Sequence, residues 1–319
     1  MAHLVETMAY TGKTPWHGLG NSLSPNQPLE VWADQAGMNW QIKESDVCFI
    51  AGNSGYLGEI HPFSDNKVLY RSDSKEPLSV VSQRYKVVQP GEILEFYRDL
   101  TEKSGFELET AGVLKGGRKL WALAKTGQSG NLRGVDQTDG YVLLATACDG
   151  SMATTAQFTS VRVVCNNTLA IALNGKVVSV KVRHNTHFDA KQVKQQLGIS
   201  VSAWDDYMYQ LKALSERKVN ARDVTAFLVA VYSDVTEGNR TTVSERALSR
   251  SLELFEGRGM GAELVTSKNT AYGLLNAVTE YVDHEQRARN SDYRLDSAWF
   301  GKGASTKQKA LDQALKLVA

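Results

Sequence analysis

The residues of this chain best suited to chemistry are cations set beside glycine and aromatic groups. Lys115-Gly-Gly-Arg118-Lys119 places three cations within five residues, and Trp121 follows on the same strand face as Lys119. Gly-Gly between two strand-like runs signals a hairpin. A glycine tip lets backbone approach phosphate closely, and an indole beside it offers a stacking surface for a base. The competing reading is an edge whose lysines discourage strand aggregation, with Trp121 in the core. A second set lies in Val177–His184, where Val178, Val180 and Val182 alternate with Ser179, Lys181 and Arg183. Lys181 and Arg183 therefore share a polar face, and Lys176 precedes the run. If that strand lies near the hairpin, these cations make a groove that tracks a polynucleotide backbone. Arg162 sits between apolar residues with no local acid, so it needs a distant anion, a carboxylate before a phosphate.

The charge distribution agrees with a built patch. Residues 1–110 hold 9 Lys/Arg against 15 Asp/Glu, and residues 111–200 hold 11 against 4. The remainder cancels, leaving a formal net charge of +1. Phosphate backbones are held by locally clustered cations, not by net charge. Basic decoration on the solvent side of a few strands would give the same count.

Other chemistries find less in the sequence. His184, His187 and Asp189 have the residue types of a non-haem iron site, but their spacing is loose and fits a strand-to-helix junction where His and Asp cap. Cys48, Cys148 and Cys165 are too far apart for a zinc pair and odd in number, as expected of reduced thiols. No local base accompanies Cys148 or Cys165. Gly257-Arg-Gly-Met-Gly261 lacks the Gly-Lys-Ser/Thr ending of a phosphate loop and reads as a connection between helices. Arg287, Arg289 and Arg294 precede Trp299-Phe300, but Asp283, Glu285, Asp292 and Asp296 stand ready to neutralise them.

The elements that must position these groups change character along the chain. The first 85 residues read as short strands and loops, with strands at Val68–Arg71 and Leu78–Val81 and a third extended piece at Gln83–Val88. Pro90 opens a helix to about Lys103. Hairpins follow over Phe106–Lys125 and Tyr141–Cys165, the second turning at Asp149-Gly150, with a further strand at Val177–Val182. From Asp189 the pattern is helical, over 189–217, 221–233, 243–255, 267–289 and 305–317. Asn220 with Asp223, and Ser305, are the expected N-caps. The last helix places Leu311, Ala314, Leu315 and Val318 on one stripe. The expected class is α+β: an antiparallel, hairpin-rich sheet with a helical C-terminal lobe. The regions are an N-terminal strand and loop region (1–88), a central basic sheet with one helix (89–188) and the helical lobe (189–319). With hydrophobic residues at 42% and charged residues at 22%, the composition is that of a globular chain. No apolar run reaches the roughly 20 residues that span a bilayer, and the N-terminus lacks a secretory pattern.

Several separated segments carry a resemblance. They are Thr14–Gly20 (TPWHGLG), Gln83–Val88 (QRYKVV), Val163–Leu169 (VVCNNTL), Arg183-His184-Asn185 and Asn276–His284 (NAVTEYVDH). Together they resemble the phage/plasmid-like protein family, a domain of unknown function carried on bacteriophages and mobile elements. The resemblance implies a bacterial cytoplasm and supplies no catalytic residues. The cationic, strand-rich centre is also similar in pattern to phage single-strand annealing proteins, which assemble into rings or filaments and hold DNA without a cofactor. The expected function is thus cofactor-independent binding of single-stranded DNA and promotion of annealing by a homo-oligomer. Lys115, Arg118, Lys119, Trp121, Arg162, Lys176, Lys181 and Arg183 form the expected interface, with no metal and no membrane partner. The alternatives are a module that uses its acidic N-terminal third to bind a host protein, and a metal-dependent enzyme built on His184, His187 and Asp189.

Overall fold

The computed structural model describes residues 8–12, 20–52, 58–104, 106–165, 167–173, 176–197, 201–236 and 240–319. The chain begins with β1 (Met8–Thr11), β2 (Asn21–Leu23) and helix α1 (Leu29–Gln35). A three-stranded antiparallel sheet follows: β3 (Ile42–Ala51), β4 (Glu59–Arg71) and β5 (Pro77–Ser82), with β4 central. Helix α2 (Pro90–Ser104) leads into β6 (Glu107–Leu114), β7 (Lys119–Leu132), β8 (Asp136–Ala147) and β9 (Thr154–Arg162). Short strands complete the middle: β10 (Asn167–Ala170), β11 (Ala172–Leu173), β12 (Lys176–Val177) and β13 (Ser179–Val182).

The main sheet runs β10-β9-β8-β7-β6-β1-β2, and β13 pairs with β9 beyond the end of β10. It is antiparallel except for the β1–β2 pair. Its long strands are almost continuously buried because helices cover them, so they read as apolar runs with little alternation. Tyr97 of α2 ties one face down: its hydroxyl donates to the carbonyls of Ala122 and Val142 and accepts from the Leu144 amide.

The C-terminal part contains α3 (Ala190–Leu197), α4 (Val201–Glu216), α5 (Ala221–Tyr232), the small hairpin of β14 (Ser233–Thr236) and β15 (Arg240–Val243), α6 (Glu245–Glu253), α7 (Ala271–Glu280), α8 (Ser291–Phe300) and α9 (Lys302–Leu315). Asn220 caps α5 in a reciprocal box with Asp223. Leu311 and Ala314 of α9 are fully buried in the common core, so the predicted stripe docks on its own chain.

The fold is α+β, as the pattern implied, and several local expectations change. Gln83–Val88 is not a strand: it turns at Gln83-Arg84 and continues irregularly, held by Tyr85 Oη on the Ala147 carbonyl and by Lys86 pairing with His184. Helix α1 arises within a stretch read as loops, and buries Trp32. Ser305 lies inside α9, whose N-cap is Gly301. Val177–Val182 is divided between β12 and β13, and 189–217 between α3 and α4.

Candidate nucleic-acid interface

The register places part of the predicted set on one face. Lys181 of β13 lies opposite Thr155 of β9, Thr155 opposite Ala145 of β8, and Ala145 opposite Trp121 of β7. Directly paired residues share a face, so Lys181 and Trp121 look the same way, with Lys119 two residues from Trp121. Helices α8 and α9 cover that face.

The cover decides what each side chain can reach. Trp121 is 0% exposed and packs edge-to-face on Trp299 of α8, with ring centroids 4.8 Å apart. Its indole has no surface to offer a base, which corrects the stacking expectation. Lys119 is buried too, paired with Asp296 and lying 5.1 Å from the Phe300 ring centroid. Lys115 is half-buried, 2.6 Å from the other oxygen of Asp296. The Gly-Gly tip also serves packing. Gly117 adopts a φ of +97°, and a Cβ there would lie 3.0 Å from the Trp40 ring, so glycine lets the N-terminal sheet close onto the tip.

Arg162 has the carboxylate partner that its apolar setting required. Its Nε and Nη2 donate to the two oxygens of buried Asp136 at 2.9 and 2.7 Å, and Nη2 also donates to Ser267 Oγ at 2.9 Å. The carbonyls of Met260 and Gly261 accept further bonds, so the glycine-rich loop caps this guanidinium. Arg162 is thereby structural, and it does not face a groove. Lys181, Arg183 and Arg118 are exposed. Arg118 has no carboxylate partner among the described residues. The Lys176 side chain lies outside the described residues.

One convergence was not expected. Tyr293 of α8 sits under two cations, with Lys115 Nζ 5.7 Å and the Arg289 guanidinium 5.5 Å from its ring centroid. The hairpin tip and the late arginine segment therefore meet at one corner. Asp283 pairs with Lys307, Glu285 with Arg250, and Asp296 with Lys115 and Lys119. Three of the four acids expected to neutralise the late arginines are thus engaged elsewhere, and Arg287, Arg289 and Arg294 have no carboxylate partner among the described residues; the fourth acid, Asp292, has its side chain outside them. The Arg/aromatic spacing of 287–300 was the available signal for this site. Beside the corner a cleft of about 720 Å³ opens between β9, β13 and α9, lined by Met152, Ala153, Lys181, Phe300, Ala304 and Lys309 among others.

The other candidate chemistries are accounted for structurally. The His184 ring stacks on Tyr85 at 4.5 Å, and its nitrogens lie 3.0 and 3.2 Å from the carbonyls of Lys86 and Met152. Asp189 accepts from the amides of Lys191 and Gln192 at the start of α3. His184, His187 and Asp189 form no metal-holding group among the described residues. Burial pushes the Cys148 thiol up to about 12 and the Cys165 thiol up to about 11, so neither is a thiolate nucleophile at neutral pH.

The segments that carried the family resemblance pair off in space. Lys86 bonds to His184 through both its amide and its carbonyl. Asn167 Nδ2 donates to the Asn276 carbonyl and to Thr279 Oγ1, and the Thr168 amide and hydroxyl both donate to Asp283. His284 bonds the Cys165 carbonyl, and Lys307 completes the cluster with bonds of 2.7 Å to Asp283 and Thr168. This buried network covers the otherwise open edge of β10. Thr14–Leu19 and Asn166 lie outside the described residues.

Such an arrangement defines a sheet whose open edge is sealed by its own C-terminal helices. Residues 77–299 match the family model described as Domain of unknown function (DUF932), and the chain belongs to that family. No curated protein and no solved structure matches it. Among the described residues no helix is long and apolar enough to cross a membrane.

Proposed function

We propose that the protein binds single-stranded DNA at the Lys115–Tyr293–Arg289 corner and promotes annealing of complementary strands. It would do so without a cofactor, as a homo-oligomer in the cytoplasm of a bacterium carrying a phage or mobile element. The observation that carries this reading is the meeting of cations from distant segments around one aromatic ring, with Asp296 the carboxylate that pairs with Lys115. Cation clusters beside an aromatic group suit strands of any sequence, because every base has a stacking face and every nucleotide a phosphate. Lys115, Arg118, Arg289 and Arg183 supply phosphate contacts, and Tyr293 replaces Trp121 as the stacking group.

The test is anisotropy of a labelled oligonucleotide across a salt series, alongside annealing of two complementary strands. Retention should fall steeply with salt as counterions are released. Lys115→Glu combined with Arg289→Glu should weaken it at least tenfold. Salt-insensitive retention, or retention unchanged in that variant, overturns the reading.

A further inference from the structure

Among the described residues, exposed large apolar side chains cluster on a two-stranded arm in the N-terminal sheet. Between Asp46 and Cys48 the β3–β4 register jumps, and β5 pairs no further along β4 than Asn66. Beyond that point, among the described residues, Cys48–Ala51 pairs with Glu59–Pro62 and with no third strand, so the ribbon leaves the three-stranded sheet. Ile50 and Ile60 face each other across it at 71% and 70% exposure, while Phe49 (50%) stacks on His61 on the opposite side and Phe63 (47%) follows. A two-stranded ribbon is marginal alone, and clustered exposed aliphatics mark an interaction surface.

Charge indicates what covers it. Residues 46–66 contain Asp46, Glu59 and Asp65 and no Lys or Arg. Arm-on-arm packing would set like charges together. The cleft between β9, β13 and α9 has the complementary chemistry: an apolar floor of Met152, Ala153, Phe300 and Ala304, with Lys181 and Lys309 on its walls against one acid, Asp312. Its volume of about 720 Å³ accommodates several aliphatic side chains. We infer that the Cys48–Ala51/Glu59–Pro62 arm of one copy docks into the β13–α9 cleft of a second copy. The contact is heterologous, so repeating it builds a ring or a filament. It uses Lys181 and not the Lys115 corner, so it supplies the assembly of the proposed function without sharing its binding residues.

Light scattering after size exclusion, with the full chain, tests this. Wild type should elute as multiples of 35.1 kDa. Ile50→Glu with Ile60→Glu, and separately Lys181→Glu, should each give monomers with unchanged circular dichroism. Mixing the two variants should restore one-to-one dimers, because one supplies an intact cleft and the other an intact arm. A monomeric wild type, variants that still assemble, or a mixture that stays monomeric overturns the inference. Cross-linking of wild type through Cys48 alone would place arm on arm and does the same. Oligonucleotide retention by Lys115→Glu, measured separately, reports on the DNA reading without touching this contact.

Discussion

Lys115 Nζ lies 2.6 Å from Asp296 Oδ2, and Lys119 holds the other oxygen of the same carboxylate. One acid thus restrains two cations from the hairpin tip and fastens that tip to α8. Replacing it separates two roles. Asp296→Asn leaves buried Lys119 without its carboxylate, and the fold should lose about 3 kcal/mol in urea unfolding. Removing the negative charge beside Lys115 should strengthen its phosphate contact, so that oligonucleotide retention at low salt tightens. Weaker retention by the folded variant would mean that the corner does not face the strand.

Trp121 and Trp299 make a second discriminating pair. The indole of Trp121 is enclosed and meets Trp299 edge-on. Trp121→Ala should cost about 3–5 kcal/mol through the cavity it leaves. At a temperature where the variant remains folded, oligonucleotide affinity should match wild type, whereas Tyr293→Ala should lower it with little loss of stability.

These contrasts show how far the sequence could be read. Turn glycines between strand-like runs marked the hairpins, and Asn220 with Asp223 marked a cap, because such signals act over a few residues. The carboxylate needed by Arg162 was inferable from its apolar neighbours, but Asp136 as its owner was not, since only the β8–β9 pairing brings the two together. Trp121 was ambiguous for the same reason: two faces of a strand look alike until α8 covers one. The late arginines were judged against acids close by in sequence, and three of those, Asp283, Glu285 and Asp296, turned out to serve Lys307, Arg250 and Lys115 from other elements. Long-range pairing, invisible to local pattern, decided each of these.

The Arg162–Asp136 pair predicts a strictly structural phenotype. Both partners are buried and bonded in two places, with Thr266 Oγ1 donating to Asp136 as well. Arg162→Met alone strands a buried carboxylate and should destabilise by about 3–5 kcal/mol. The double change Arg162→Met with Asp136→Leu should recover much of that loss. Retention of oligonucleotide by whichever variants fold should be unaltered.

His284 supplies the pH dependence. Burial, chiefly, holds its pKa below the usual 6.5, with Lys307 and Arg294 adding to the effect against the opposing pull of Asp283 and the Cys165 carbonyl. The native ring therefore stays neutral at a pH where the unfolded chain already takes up a proton. Stability from this group is complete above the ordinary histidine pKa and is lost as the pH falls below it, because the unfolded state then binds more protons. The urea midpoint should drop between about pH 7 and pH 5. His284→Gln keeps a donor for the Cys165 carbonyl and removes the titration, so its midpoint should fall less over the same interval. An equal fall in both proteins would assign the acid sensitivity to other groups and leave His284 a purely geometric link between β10 and the helices.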